Sequence, residues 1–135
     1  MRRKKNYVEF EDDHGITRRY FHHSNGGGLV ESSAVVDSTA YVHASAYVDP
    51  AARVHHGARI GSGAWIDHSA VIAPGAEVGE NAHVGQAAFV GSRAVVGARA
   101  TVGAKARIGE GARIVADDVV ADGGTLEDAR SSRAA

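Results

Sequence analysis

The stretch VGQAAFVGSRAVVGARATVGAKARIGEGAR, Val84 to Arg113, carries Val or Ile at every sixth position and an alanine four residues after each one. Helices repeat near 3.6 residues and strands at 2, so a period of six belongs to neither alone. The register extends far beyond this stretch. Positions 30, 36, 42, 48, 54, 60, 66, 72, 78, 84, 90, 96, 102, 108, 114 and 120 are all Val or Ile, Leu126 follows, and every sixth residue from Ala34 to Ala112 is alanine. A fixed period of this kind redefines the fold before any residue is read singly.

The period predicts a coil with three short flat sides. Each side points the small alanine and the next aliphatic residue inward, two positions apart, with the residue between them outward. The remaining residues make the corner, and glycines such as Gly61, Gly63, Gly75, Gly79 and Gly111 crowd there because sharp corners need dihedrals that a Cβ penalises. Three hexads close a turn of about 18 residues, so residue n lies beneath residue n+18. Val30 to Val119 then makes about five coils, roughly 25 Å tall at the strand spacing.

Composition agrees with a thin core. Among 135 residues there are 17 glycines, two leucines and 6% aromatics, too few large side chains for ordinary globular packing. The absence of cysteine excludes disulfides, thiolate metal sites and cysteine nucleophiles. The opening MRRKKNYVEF turns polar at once, so neither a signal segment nor a membrane span is expected and a cytoplasmic setting, or a particle assembled there, is the reading. Residues 1–28 read as a basic arm and a β-hairpin cap, YVEF and ITRRYF around a turn ending at Gly15, with SNGGG as a flexible joint. Residues 29–125 are the repeat and 126–135 a short tail.

The hexads VGSRAV, VGARAT and IGEGAR resemble the hexapeptide-repeat superfamily. The resemblance implies an all-β, left-handed parallel β-helix, here preceded by a hairpin. It also implies a homotrimer, and an acyltransferase using acetyl-CoA or another acyl-CoA in many members, with gamma-class carbonic anhydrases and non-catalytic members beside them. Fold alone leaves function open.

The 18-residue stacking maps the outward side chains. One side carries Tyr47, Trp65, His83 and Thr101, the second Arg53, Val71, Phe89 and Arg107, the third Arg59, Glu77, Val95 and Arg113. Exposed Tyr47, Trp65, Val71 and Phe89 call for cover by a subunit interface, a ligand groove or the hairpin. A corner beside the first side stacks Asp49, Asp67 and Gly85, with His68 next to Asp67, so His68 and His83 can approach one groove. An imidazole polarised by Asp67 has the chemistry of a general base, and Trp65 would wall the pocket.

Residues 81–109 hold Arg93, Arg99, Lys105 and Arg107 and no acid. If the chain is an enzyme, the resemblance makes Arg93, Arg99 and Lys105 the grip on CoA phosphates. Otherwise the collar is solvated surface, and its scatter over several corners, without interleaved aromatics, argues against nucleic acid. His43, His55 and His56 raise the carbonic-anhydrase option, but the family's NIQD stretch and its histidines five apart are missing, so no metal is expected. Acyltransferases of this superfamily interrupt the ladder with a loop, and here none is inserted. The leading expectation is therefore a non-catalytic homotrimeric module with no cofactor, a structural or binding element of a larger protein assembly such as a phage particle. The alternative is a small CoA-dependent acyltransferase using His68 or His83.

Overall fold

The computed structural model describes residues 7–127. The basic arm ahead of Tyr7 and the end of the tail lie outside them. Strands β1 (Tyr7–Glu11) and β2 (Thr17–His22) pair antiparallel, and β2 pairs antiparallel with β3 (Leu29–Glu31). Sixteen two-residue strands follow, from β4 (Val35–Val36) to β19 (Thr125–Leu126). No helix occurs among the described residues. Strands three apart in order pair in parallel, which generates sheets of eight, six and five strands, the three walls of a β-solenoid of about five turns.

The pairing confirms the outward columns residue for residue. Tyr47 lies beside Trp65, Trp65 beside His83 and His83 beside Thr101. Val71 sits between Arg53 and Phe89, and Glu77 between Arg59 and Val95. The inward columns form one continuous core of alanines alternating with Val or Ile, nearly all without exposure from Ala40 to Ile114. Such a core buries apolar area through many small side chains, and each coil adds its layer by nearest-neighbour contact.

The corners divide their work in a way composition does not show. The last corner residue, fourth in the hexad counted from its Val or Ile, takes a left-handed backbone, glycine at Gly63, Gly75 and Gly111 but also Arg93, Arg99 and Lys105. Its amide donates to a carbonyl of the coil below, as from Arg93 to Pro74 and from Lys105 to Gln86. At Gly79 the dihedral is ordinary and the need is space, because a Cβ there would come within 2.8 Å of the Ala98 nitrogen in the coil above.

The hairpin continues the sheet of the first wall, β1 pairing with β2 and β2 with β3. One expectation about the N-terminal region is corrected. The SNGGG segment is no loose joint: Gly28 donates to Val42 O, Val42 donates to Asn25 O, and Gly27 bridges to His43. Any Cβ at Gly26 or Gly28 would collide with Val42, so these glycines are needed for close approach beneath the first coil.

Candidate active site

The corner that follows the first wall is where chemistry collects. β6 (Tyr47–Val48), β9 (Trp65–Ile66) and β12 (His83–Val84) stack there, and each delivers its next residue, Asp49, Asp67 or Gly85, to the turn. Stacking alone brings Asp49, Asp67, His68, Trp65 and His83 together. Asp67 is the centre: its Oδ1 lies 2.9 Å from His68 Nδ1 and accepts the His68 amide at 2.7 Å, while its Oδ2 lies 3.0 Å from His83 Nε2. The imidazole of His83 stacks on the Trp65 indole, with centroids 4.1 Å apart and planes 18° apart.

Burial pushes the Asp67 carboxyl up, but the hydrogen bonds from the His68 ring and amide and from His83 outweigh it and leave Asp67 below the usual carboxylate range. Asp67 is therefore ionised at neutral pH. An ionised carboxylate only accepts, so the nitrogens facing it, His68 Nδ1 and His83 Nε2, must carry the protons. In the neutral imidazole the lone pair then sits on His68 Nε2, which has no protein partner among the described residues, on a side chain 48% exposed.

A second carboxylate supports the first. Asp49 is buried, with only 8% of its surface exposed. Its Oδ1 accepts the Tyr20 hydroxyl at 2.7 Å and its Oδ2 accepts Trp65 Nε1 at 2.5 Å. Burial, reinforced by that bond to Asp49, raises the Tyr20 hydroxyl well above its ordinary pKa. Phe10 packs edge-on to Tyr20 and to Tyr47, so the hairpin covers the lower part of the aromatic column. Tyr20 was invisible to the hexad pattern because it lies outside it. Asp49 was placed on the correct corner, but nothing in its own hexad shows that its carboxylate is shared.

Asp49, Asp67 and His68 are also the one cluster of metal-type ligand atoms among the described residues, lying within 4.8 Å of one another. The two carboxylates already hold five N–H or O–H donors, an arrangement that orients imidazoles without an ion. His43, His55 and His56 join no such cluster.

The basic collar does not converge. Arg93, Arg99 and Lys105 stand on three different corners, over Pro74, Glu80 and Gln86. Arg93 is paired with Glu110, and Arg99 with Asp117 at 2.7 Å. Lys105 alone stands on the corner of Asp67 and His68, two coils above them, and forms no ion pair among the described residues. Of the residues read as an interface or groove, Trp65 belongs to the site and Tyr47 to the ring cluster beside it. Val71 and Phe89 share the second wall, where Arg107 lies over the Phe89 ring at 5.2 Å.

Residues 30–129 match the family of GMPPB C-terminal domains. Among solved structures, a histidine-to-asparagine variant of perosamine N-acetyltransferase from Caulobacter crescentus, in complex with CoA and GDP-perosamine, is 30% identical with a TM-score of 0.71 over 89% of this chain and 54% of that one. PerB from the same organism, with the same two ligands, gives the same identity and TM-score over 89% and 55%. This chain thus spans about half the length of those acetyltransferases. A hexapeptide transferase family protein from Anaplasma phagocytophilum is a weaker likeness, 19% identical with a TM-score of 0.41 over 76% of this chain and 70% of that one. Among curated proteins none matches.

Proposed function

Since the chain belongs to the GMPPB C-terminal domain family, within the hexapeptide-repeat superfamily, we propose that it is a CoA-dependent acyltransferase whose acceptor is a hydroxyl or amine of a nucleotide-linked sugar. The likeness to acetyltransferases holding CoA and GDP-perosamine favours this reading over a non-catalytic module and over the expectation of no cofactor. The observation that carries it is the Asp67 carboxylate between two imidazoles, with His68 Nε2 left bare. In this reading His68 Nε2 takes the acceptor's proton as the acceptor bonds to the thioester carbonyl. The imidazolium, held by Asp67, returns that proton to the departing thiolate, so the products are acylated acceptor and CoA thiol. A positioned base of this kind contributes about 10²- to 10⁴-fold in rate.

The fit to acyl-CoA rests on one corner. Lys105 stands about 10 Å along the axis from His68, two strand spacings, and the corner between them carries the small residues Gly85, Ala87 and Gly103, with Gln86 as its one larger side chain. Lys105 therefore replaces the three-residue grip as the phosphate contact, Arg93 and Arg99 being engaged elsewhere. Assembly as a homotrimer belongs to the same proposal, because exposed Tyr47 and Trp65 and half-buried Val71 and Phe89 leave apolar surface on two walls.

Calorimetry with coenzyme A tests the reading directly. Saturable binding that weakens with salt is expected, with Lys105→Glu lowering affinity at least about tenfold and Arg93→Glu changing it little. His68→Ala should keep binding and lower acetyl transfer to GDP- or UDP-linked amino sugars by about 10²-fold or more. The uninterrupted ladder favours the second reading, a rigid non-catalytic module. Absence of binding at ~1 mM coenzyme A, a threshold near −4 kcal/mol, would reject the CoA-dependent reading and favour the second one.

A further inference from the structure

We infer that Asp49 is a positioning residue that locks the N-terminal hairpin, Trp65 and the imidazole pair into one unit; its catalytic consequence rests on the acyltransferase reading, whereas its structural consequence does not. The chain of contacts is continuous. Tyr20 of β2 donates to one Asp49 oxygen, Trp65 Nε1 donates to the other, the indole carries His83 on its face, and His83 Nε2 meets the carboxylate that also holds His68. Each link fixes one degree of freedom of the next: the indole hydrogen bond sets the ring rotation of Trp65, and the ring plane sets that of His83.

Without Asp49 the indole would be held by stacking alone, on a side chain 43% exposed. The Tyr20 hydroxyl would then lose its acceptor in a buried setting. The hairpin is thus part of the site although none of its residues reaches the imidazoles. This explains why a charged residue is buried at the start of a corner where the coils above place Gly85 and Gly103. It also separates the two carboxylates by role. Asp67 hydrogen-bonds both imidazoles, whereas Asp49, whose Oδ2 lies 3.8 Å from His68 Nδ1, hydrogen-bonds the groups that hold His83 in place.

Charge and geometry can be told apart by substitution. In Asp49→Asn the amide oxygen still accepts from Trp65 Nε1, and the amide N–H donates to the Tyr20 hydroxyl oxygen, so the geometry survives without the charge. Asp49→Ala removes both bonds. Trp65 is the sole tryptophan, so its near-ultraviolet circular dichroism and fluorescence report this site alone.

Spectra of the full chain, taken well below its melting temperature, should lose at least half of the indole band amplitude in Asp49→Ala and keep most of it in Asp49→Asn. Tyr20→Phe, which deletes one oxygen and keeps the ring packing, should weaken the same bands. It carries the test alone if Asp49→Ala does not refold. Wild-type spectra in the folded variants overturn the assignment. Where the wild type transfers acyl groups, Asp49→Ala should lower kcat at least about tenfold with the KM for acyl-CoA within twofold, and an unchanged kcat overturns the positioning role. Transfer absent from the wild type, with spectra that respond as stated, rejects the acyltransferase reading and leaves the locked unit standing.

Discussion

Tyr20 and Asp67 show the same hydrogen-bonding logic with opposite signs. Asp67 has its pKa lowered, so its contribution to stability is present above the ordinary value of 3.8 and is lost as pH falls through the lowered one. Tyr20 has its pKa raised above 10.0, so its contribution is complete below that value and is lost as pH rises through the raised one. Both are therefore intact at neutral pH, where Asp67 holds the protonated nitrogens of two imidazoles. A measurable outcome follows for Tyr20. Of the four tyrosines, the absorbance of Tyr20 at phenolate wavelengths should be missing from the titration through pH 10 to 11, so Tyr20→Phe should leave the step height in that range unchanged. A step reduced by one tyrosine in the variant would show that the Tyr20 hydroxyl ionises normally and is not held by Asp49.

At the scale of the element, a two-residue strand has almost no stability of its own and exists because the coil above and the coil below pair with it. Its inner alanine is the tight point: Ala88 is fully buried, as are Ala70 and Ala106 in the adjoining coils. Ala88→Leu should therefore cost about 1–3 kcal/mol through overpacking. Arg93→Leu keeps a Cβ at the same left-handed corner and gives up an exposed ion pair with Glu110, so it should cost under about 1 kcal/mol. Denaturant titration of the two variants checks the order. Equal midpoints would mean that the inner and corner positions are not energetically distinct.

For the whole molecule, the outward aromatic column is only partly covered by the chain itself. Phe10, Tyr47 and Trp65 each remain more than 40% exposed after the hairpin has packed, a patch that a second copy can bury. Sedimentation should give one species near three times 14.0 kDa, and a stable monomer at micromolar concentration would reject the trimer. Trp65→Lys separates the two roles of this surface. If the first wall is the contact, the variant sediments as a smaller species. If it serves only the site, the assembly persists while acyl transfer is lost.

The coil, its three outward columns and the alanine core could all be written down from the period of six, because in a solenoid every residue's neighbours are set by simple addition of 18. That same addition placed His68, His83, Asp67 and Trp65 at one corner before any coordinate was known. It could not reach Tyr20, since the hairpin obeys no hexad rule and its contact with Asp49 spans 29 residues of sequence. Nor could it decide which nitrogen of which imidazole meets Asp67, or that Arg93 and Arg99 turn to Glu110 and Asp117. Period determines where a Cα lies. The direction of a side chain, and the partner that satisfies it, depend on local packing and hydrogen bonding that only the folded structure supplies.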